Sequence, residues 1–344
     1  MEALNNSKER ILVIQTAFLG DALLTLPMLE KLKQKYSSAI LDVLAIPATR
    51  EIFSASSCID NVIVMDKKGK QKGLRAMNKF ISELRKNSYT KIYSPHRSFR
   101  SAYITLKLGA GESYGFDNSN FKYAYKHLIR YEQKYHEVQR NLLLAGQNIE
   151  GESWKIIPRV CFNDEVKKNV KKILLENHVQ EDFIAIAPGS VWETKKYPKE
   201  KYIEVIKLLS GNDKHVVLIG GREDVTLCDD ISSNAGSTVK NLAGKFSIIE
   251  TIFFLKSANL LITNDSAPTH MGMCADIPVL TIFCSTVPEF GFYPYNKKSS
   301  FLSYDDLDCK PCGIHGYREC PIGTFDCANN LLPEKIMQKI IMLA

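Results

Sequence analysis

At 344 residues, 45% of them hydrophobic and 24% charged, the chain has the composition of a folded globular protein and the length of two ordinary domains. No apolar run approaches the roughly 18–20 residues of a membrane span, and the polar first ten residues lead straight into a strand, so neither an integral membrane protein nor a secretory leader is expected. The net charge of +7 is unevenly spread: residues 1–150 hold 23 Lys and Arg against 14 Asp and Glu, and the rest hold 22 against 24, which points to an anionic partner for the first half alone.

Arg10–Thr16 reads as a buried strand, followed by the turn Ala17–Asp21, a helix from about Asp21 to Lys35 and a second strand at Ile40–Ile46. Together they are the opening βαβ of a doubly wound sheet, in which ligands lie at the carboxyl ends of the strands. Asp21 therefore stands at a candidate site, although a carboxylate in a first helical turn also has a purely stabilising role. Lys67, Lys68, Lys70 and Lys72 read as a solvated loop. A short strand at Val62–Met65, a helix at Ala76–Lys86 and a strand at Lys91–Ser94 lead to Pro95-His96-Arg97-Ser98-Phe99-Arg100-Ser101. Two guanidinium forks, an imidazole and two hydroxyls after a parallel strand make a multi-donor anion site. The glycines at 109, 111 and 115 have the wrong spacing for a dinucleotide fingerprint. His127 and His136 flank a stretch read as basic and helical.

After a connection that includes a charged helix, Glu165–Asn177, a second βα series begins. Its strands are Phe183–Ala187, Val216–Ile219 and Val239–Leu242, its helices Glu200–Leu209, Asp224–Ile231 and Ile248–Ala258. Leu260–Thr263 is then a buried strand that Asn264-Asp265-Ser266 ends. Ala267–Ala275 is a short helix with Pro268 in its first turn, and Pro278–Phe283 is a further strand. Free N–H groups and the positive dipole end at such a helix start suit phosphate, and Asp265 and His270 add a carboxylate and an imidazole. An ordinary capped turn is the alternative. The division expected is residues 1–160, residues 161–332 with a Cys-rich tail, and a helix in 333–344 packing back on the first domain. Of nine cysteines, Cys58, Cys161, Cys228, Cys274 and Cys284 sit in apolar surroundings, whereas Cys309, Cys312, Cys320 and Cys327 cluster. That spacing lies within the range of a four-thiolate structural zinc knuckle, with free thiols as the alternative.

Several strings resemble a known family. Gly20-Asp21-Ala22-Leu23-Leu24-Thr25-Leu26-Pro27 is similar to the GDxxxTLP opening of the ADP-heptose:lipopolysaccharide heptosyltransferases, glycosyltransferase family nine. Pro188-Gly189-Ser190 with Thr194-Lys195-Lys196-Tyr197-Pro198 resembles its PGA…KxWP segment, and Asn264-Asp265-Ser266-Ala267 through His270 resembles its ND[ST]GxxH motif, with Ala267 where Gly is common. His96-Arg97-Ser98 and His136-Glu137 resemble further family features. The likeness spans about residues 10–330, and some second-type heptosyltransferases carry a similar Cys-rich tail.

The resemblance implies the GT-B fold, two Rossmann-like doubly wound parallel-sheet domains facing across a cleft, and an inverting transfer of heptose from ADP-L-glycero-D-manno-heptose to Kdo or the first heptose of the lipopolysaccharide inner core. Asp21 is then the general base, and Lys195 with the helix after Asp265 stabilises the leaving diphosphate. Ser190, Thr194, Asp224, Asp265, Ser266, Ala267 and His270 would hold the donor; His96, Arg97, Ser98 and Arg100 would hold the anionic acceptor. No cofactor is required for catalysis, nucleic acid is not a partner, and the enzyme is expected in the cytoplasm at the anionic face of the inner membrane, with the aromatic and basic residues of His127–Tyr135 resting on lipid. Asp306-Leu307-Asp308 reads as loop rather than as a DxD metal motif. A non-catalytic nucleotide-sugar-binding protein and a related transferase with another donor sugar are the alternatives; a nicotinamide-dependent oxidoreductase lacks its GxGxxG.

Overall fold

The computed structural model describes residues 9–179 and 182–343, which divide into two compact units, one ending at Cys161 and one beginning at Phe162. In chain order the first holds β1 (Arg10–Ile14), α1 (Leu19–Lys35), β2 (Ile40–Ala45), α2 (Arg50–Ser54), β3 (Asn61–Val64), α3 (Leu74–Arg85), β4 (Lys91–Ser94), α4 (Phe99–Leu108), β5 (Glu112–Phe116), β6 (His127–Ile129) and α5 (Glu137–Leu144). All six strands are parallel, in the order β3-β2-β1-β4-β5-β6. A strand in such a sheet is covered on both faces, which is why β1 and β2 are almost continuous apolar runs. Their inward residues Leu12, Ile14 and Leu44 pack with Met77, Ile81 and Leu84, which lie on one face of α3 at intervals of four and three. Each such side chain stabilises the fold by about 1.5–3 kcal/mol when fully buried.

The second unit repeats the plan with α6 (Asp164–Glu176), β7 (Phe183–Ala187), α7 (Lys199–Ser210), β8 (His215–Leu218), α8 (Val225–Ala235), β9 (Lys240–Asn241), α9 (Ile248–Leu255), β10 (Ala258–Asn264), α10 (Ala267–Ala275), β11 (Val279–Phe283), β12 (Ser300–Ser303), α11 (Asp326–Asn329) and α12 (Pro333–Leu343). Its order, β12-β11-β10-β7-β8-β9, is the same topology. Each sheet reverses its winding once, between β1 and β4 and between β7 and β10, and such a reversal opens a crevice at the carboxyl ends of the two strands.

Three expectations are corrected. Residues 127–136 are not helical: they are β6 and a loop, and His136 is the N-cap of α5. The strands β5, β6 and β12 were not foreseen. The helix α12, expected on the first domain, packs on α7, with Ile336 and Ile340 buried in the second unit's own core.

Candidate functional site

In the first unit, Thr16 follows β1 and His96 follows β4, and the two side chains meet across the crevice, Oγ1 to Nδ1 at 2.8 Å. The hydroxyls of Ser101 and Ser98 stand 3.3 and 3.4 Å from the same nitrogen. Burial, with help from Lys67, Arg97 and Arg100, lowers the His96 pKa to about 4, so near pH 7 its ring is neutral. Ser98 spends its oxygen capping α4, where it accepts the Ser101 N–H at 3.2 Å, so it orders the turn. Lys67, read as solvated, donates instead to the Thr16 carbonyl at 2.8 Å. Repulsion by Arg100 contributes to lowering its pKa, after burial, which places Lys67 in the same cationic group.

Asp21 is the third residue of α1. Its own N–H, that of Phe18, and Arg97 all favour the carboxylate, but burial and the negative Glu137 outweigh them and push its pKa up to about 7. Arg97 is held in a stack: its guanidinium lies 4.0 Å from the centre of the Tyr131 ring, and that of Arg140 lies 4.9 Å from it. Arg140 is fully buried, paired to Glu137 at 2.8 Å and bonded to the Gln133 carbonyl at 3.1 Å. Tyr131, Glu137 and Arg140 thus set the surroundings of Asp21 and Arg97. Only Glu137 was noticed in the sequence.

In the second unit, Asn264 ends β10 and braces the crevice. Its amide donates to the Pro188 carbonyl at 2.7 Å, and its oxygen accepts from the Tyr197 N–H and the Tyr202 hydroxyl, both at 3.0 Å. Lys195 reaches Asp265 at 2.6 Å, and Asp265 also accepts from Thr286 at 2.7 Å. The ammonium has three donors, so this pairing leaves it able to hold a further anion. Ser266 is the N-cap of α10 and offers no side-chain cap to the helix. His270 is buried, its Nδ1 has no hydrogen-bond partner, and burial lowers its pKa to about 4, which makes it a neutral group.

Asp224 accepts the Gly221 N–H at 2.9 Å. A Cβ on Gly189 would fall 2.1 Å from its Oδ1, so only a glycine fits where the turns after β7 and β8 converge. Burial raises the Asp224 pKa. Ser190 accepts from the Trp192 N–H at 3.3 Å. The Thr194 hydroxyl is fully engaged: it donates to the Tyr317 carbonyl at 3.2 Å and accepts from the Tyr317 N–H at 2.8 Å and the Ser285 hydroxyl at 3.0 Å.

The four tail cysteines line one cavity of about 240 Å³. Among the described residues, no three His, Cys, Asp or Glu side chains are grouped to hold one ion. No helix among the described residues is long and apolar enough to cross a membrane.

Two Rossmann-like units in one chain, each with charged side chains at its switch point, are the architecture of the GT-B glycosyltransferases. The pattern of glycosyltransferase family 9 (heptosyltransferase) matches residues 77–320, and the chain belongs to that family. It is similar to lipooligosaccharide heptosyltransferase 2 of Campylobacter jejuni, 24% identical over 97% of this chain and 99% of that one. It is also similar to lipopolysaccharide heptosyltransferase 2 of Salmonella typhimurium, 23% identical over 82% and 84%. Among solved structures, the ADP-heptose lipopolysaccharide heptosyltransferase II of Escherichia coli superposes with a TM-score of 0.78, at 20% identity over 97% of this chain and 98% of that one.

Proposed function

We propose that the protein is a cytoplasmic inverting heptosyltransferase that moves heptose from ADP-L-glycero-D-manno-heptose to the Kdo or first-heptose unit of a lipopolysaccharide inner core. The observation that carries this reading is Asp21: a carboxyl with a pKa of about 7, beside Arg97 at the carboxyl end of the switch-point strands. A carboxylate of that basicity takes the proton of an acceptor hydroxyl as its oxygen attacks the anomeric carbon. The C–O bond to the diphosphate breaks on the opposite face, and one displacement inverts the centre.

Lys67, Arg97 and Arg100 supply donors for the carboxylates and phosphates of such an acceptor, with the neutral ring of His96 beside them, which accounts for the basic first half. Negative charge that develops on the leaving β-phosphate meets Lys195 and the first amides of α10, with Ser266 beside them. Asp265 orients Lys195, and Asp224 and Ser190 stand at the adjoining strand ends for the nucleoside. In this reading the positive charge on the diphosphate comes from side chain and backbone, with no cofactor required.

A row of rings on the first unit supports a membrane-surface partner: Tyr103, Phe99, Phe121 and Tyr123 follow one another at 6.3, 5.8 and 6.3 Å. Phe99 and Tyr123 are 55% and 81% exposed, and Lys107 and Lys122 flank the row. Exposed aromatics between lysines suit an anionic headgroup layer better than the His127–Tyr135 stretch named from sequence.

The test is to incubate the protein with ADP-heptose and either Kdo-lipid A or heptosylated core, and to follow ADP release and acceptor mass. Wild type adds one heptose and Asp21→Ala does not. No release with either acceptor, or full turnover by the variant, overturns the reading.

A further inference from the structure

The Cys-rich tail is fastened to the second unit at several points. Lys310, its side chain 2% exposed, donates to the carbonyls of Phe283 and Tyr304 at 3.1 and 3.0 Å and to the Ser303 hydroxyl at 2.5 Å. The Cys312 N–H bonds to the Ser285 carbonyl at 2.8 Å, and at the far end Cys327 and Ala328 are buried in the core. Between these anchors, Tyr317 grips Thr194 through both of its main-chain polar groups. The Thr194 N–H donates to the Tyr317 carbonyl at 3.1 Å and its carbonyl accepts from the Ser285 N–H at 3.3 Å, in addition to the hydroxyl bonds given above. Gly316 has φ +77°, and a Cβ there would stand 3.0 Å from Thr194 Oγ1, 3.1 Å from Ser285 Oγ and 3.2 Å from Lys195 Cγ. The main chain of the loop therefore runs against the stem of the lysine.

We infer that the Cys309–Tyr317 loop is a positioning element for the donor site, fixing Lys195 through Thr194 and the bare backbone at Gly316. The inference rests on the assignment of Lys195 to the diphosphate. A lysine stem carries about 2 kcal/mol of rotamer freedom, and a free ammonium would have to be ordered when charge develops. Here the tip is held by Asp265 and the root by the loop. Misplacement by about 1 Å can cost on the order of a hundredfold in rate. The tail thus shapes the donor site without any of its cysteines touching substrate.

Thr194→Val keeps the volume and loses the three hydroxyl bonds, whereas Thr194→Ser retains them. Thr194→Val is expected to raise the KM for ADP-heptose and the Kd for ADP about five- to tenfold and to leave the acceptor KM unchanged, with Thr194→Ser within about twofold of wild type. A purely structural role would lower Tm without separating donor from acceptor KM. Unchanged ADP affinity in a folded Thr194→Val defeats the inference. If that variant does not fold, the gentler Ser285→Ala decides: a two- to threefold weaker ADP affinity supports the loop's role, and wild-type affinity overturns it. Wild-type protein that fails to bind ADP defeats the donor assignment itself. ADP binding weakened by Lys195→Ala but not by the threonine and serine variants defeats the loop alone.

Discussion

The two switch points share one topology and differ in how their charge is balanced. In the first unit, Lys67, Arg97 and Arg100 are only partly buried, His96 is neutral, Asp21 stands near them with a raised pKa, and the neighbouring Glu137 is paired to Arg140. In the second, Lys195 and Asp265 compensate each other at 2.6 Å, with 13% and 9% of their side chains exposed. Unbalanced cations near the surface suit a large acceptor with several negative groups. A compensated, enclosed pair suits one diphosphate that must be bound and then released as its charge grows. On the proposed assignments, one strand order serves two kinds of anion recognition, with burial and counter-charge making the difference.

The largest effects are expected from removing the central group of each side. Asp21→Ala should lower kcat by about 10²–10⁴ and leave ADP affinity unchanged, whereas Lys195→Ala should lower kcat/KM by about 10²–10³ and weaken ADP as well. Calorimetry with ADP beside steady-state rates separates them, and a loss of ADP affinity in the Asp21 variant would abolish the division of labour.

Next in size is the response of stability to loss of each brace. Asn264→Ala strands the Tyr202 hydroxyl and the Tyr197 N–H in the core and should cost about 2–4 kcal/mol in urea unfolding. Thr16→Val leaves His96 two other hydroxyls and should cost about 1 kcal/mol or less. Equal costs would mean that the crevices are braced alike.

The pH dependence follows from Asp21. As a base it must be ionised, so kcat/KM should rise about tenfold per pH unit below 7 and level off above it. Glu137→Gln, which removes a negative neighbour, should move the break to lower pH. The raised folded-state value also favours the protonated carboxyl, so stability should fall as pH rises from about 4, near the ordinary 3.8, to about 7. Asp21→Asn lacks that loss and should melt a few degrees above wild type at pH 8, with the gap closing towards pH 4. A constant gap would remove the assignment.

The smallest effect concerns the outer face of the first unit. Phe99→Ser with Tyr123→Ser should weaken binding to phosphatidylglycerol vesicles about tenfold and leave turnover of a deacylated, water-soluble acceptor unchanged. Unchanged sedimentation with the vesicles would direct the search to another surface.

The parallel sheets were legible because strands covered on both faces must be apolar throughout, as Ile11–Ile14 and Phe183–Ala187 are. β5, with Glu112, Ser113 and Gly115 in five residues, and β12, an edge strand of four, carry too little pattern to find. Asp21 and Asp265 were legible because each stands at a strand-to-helix turn. Contacts between distant parts of the chain were not: Lys67 meets Thr16 across 51 positions, and Tyr131 and Arg140 stack with Arg97 although they share no motif with it. The engagement of the Thr194 hydroxyl was hidden for the same reason, since Tyr317, which occupies it, is 123 positions away. His136 marks a cap, Nδ1 accepting from the Val138 N–H at 3.2 Å, whereas only its adjacency to Glu137 was visible in the sequence.

The internal counter-ion at Lys195 bears on selectivity among competing solutes. A lone buried ammonium would be an indiscriminate trap, occupied by any small oxyanion abundant in the surrounding solution. Because Asp265 already neutralises it, inorganic phosphate gains little net attraction there and meets a carboxylate as well. A ligand must bring additional contacts, such as those of a nucleoside at the neighbouring strand ends, before occupancy becomes favourable. On the proposed assignment, the pair favours the ligand that can also use the neighbouring strand ends.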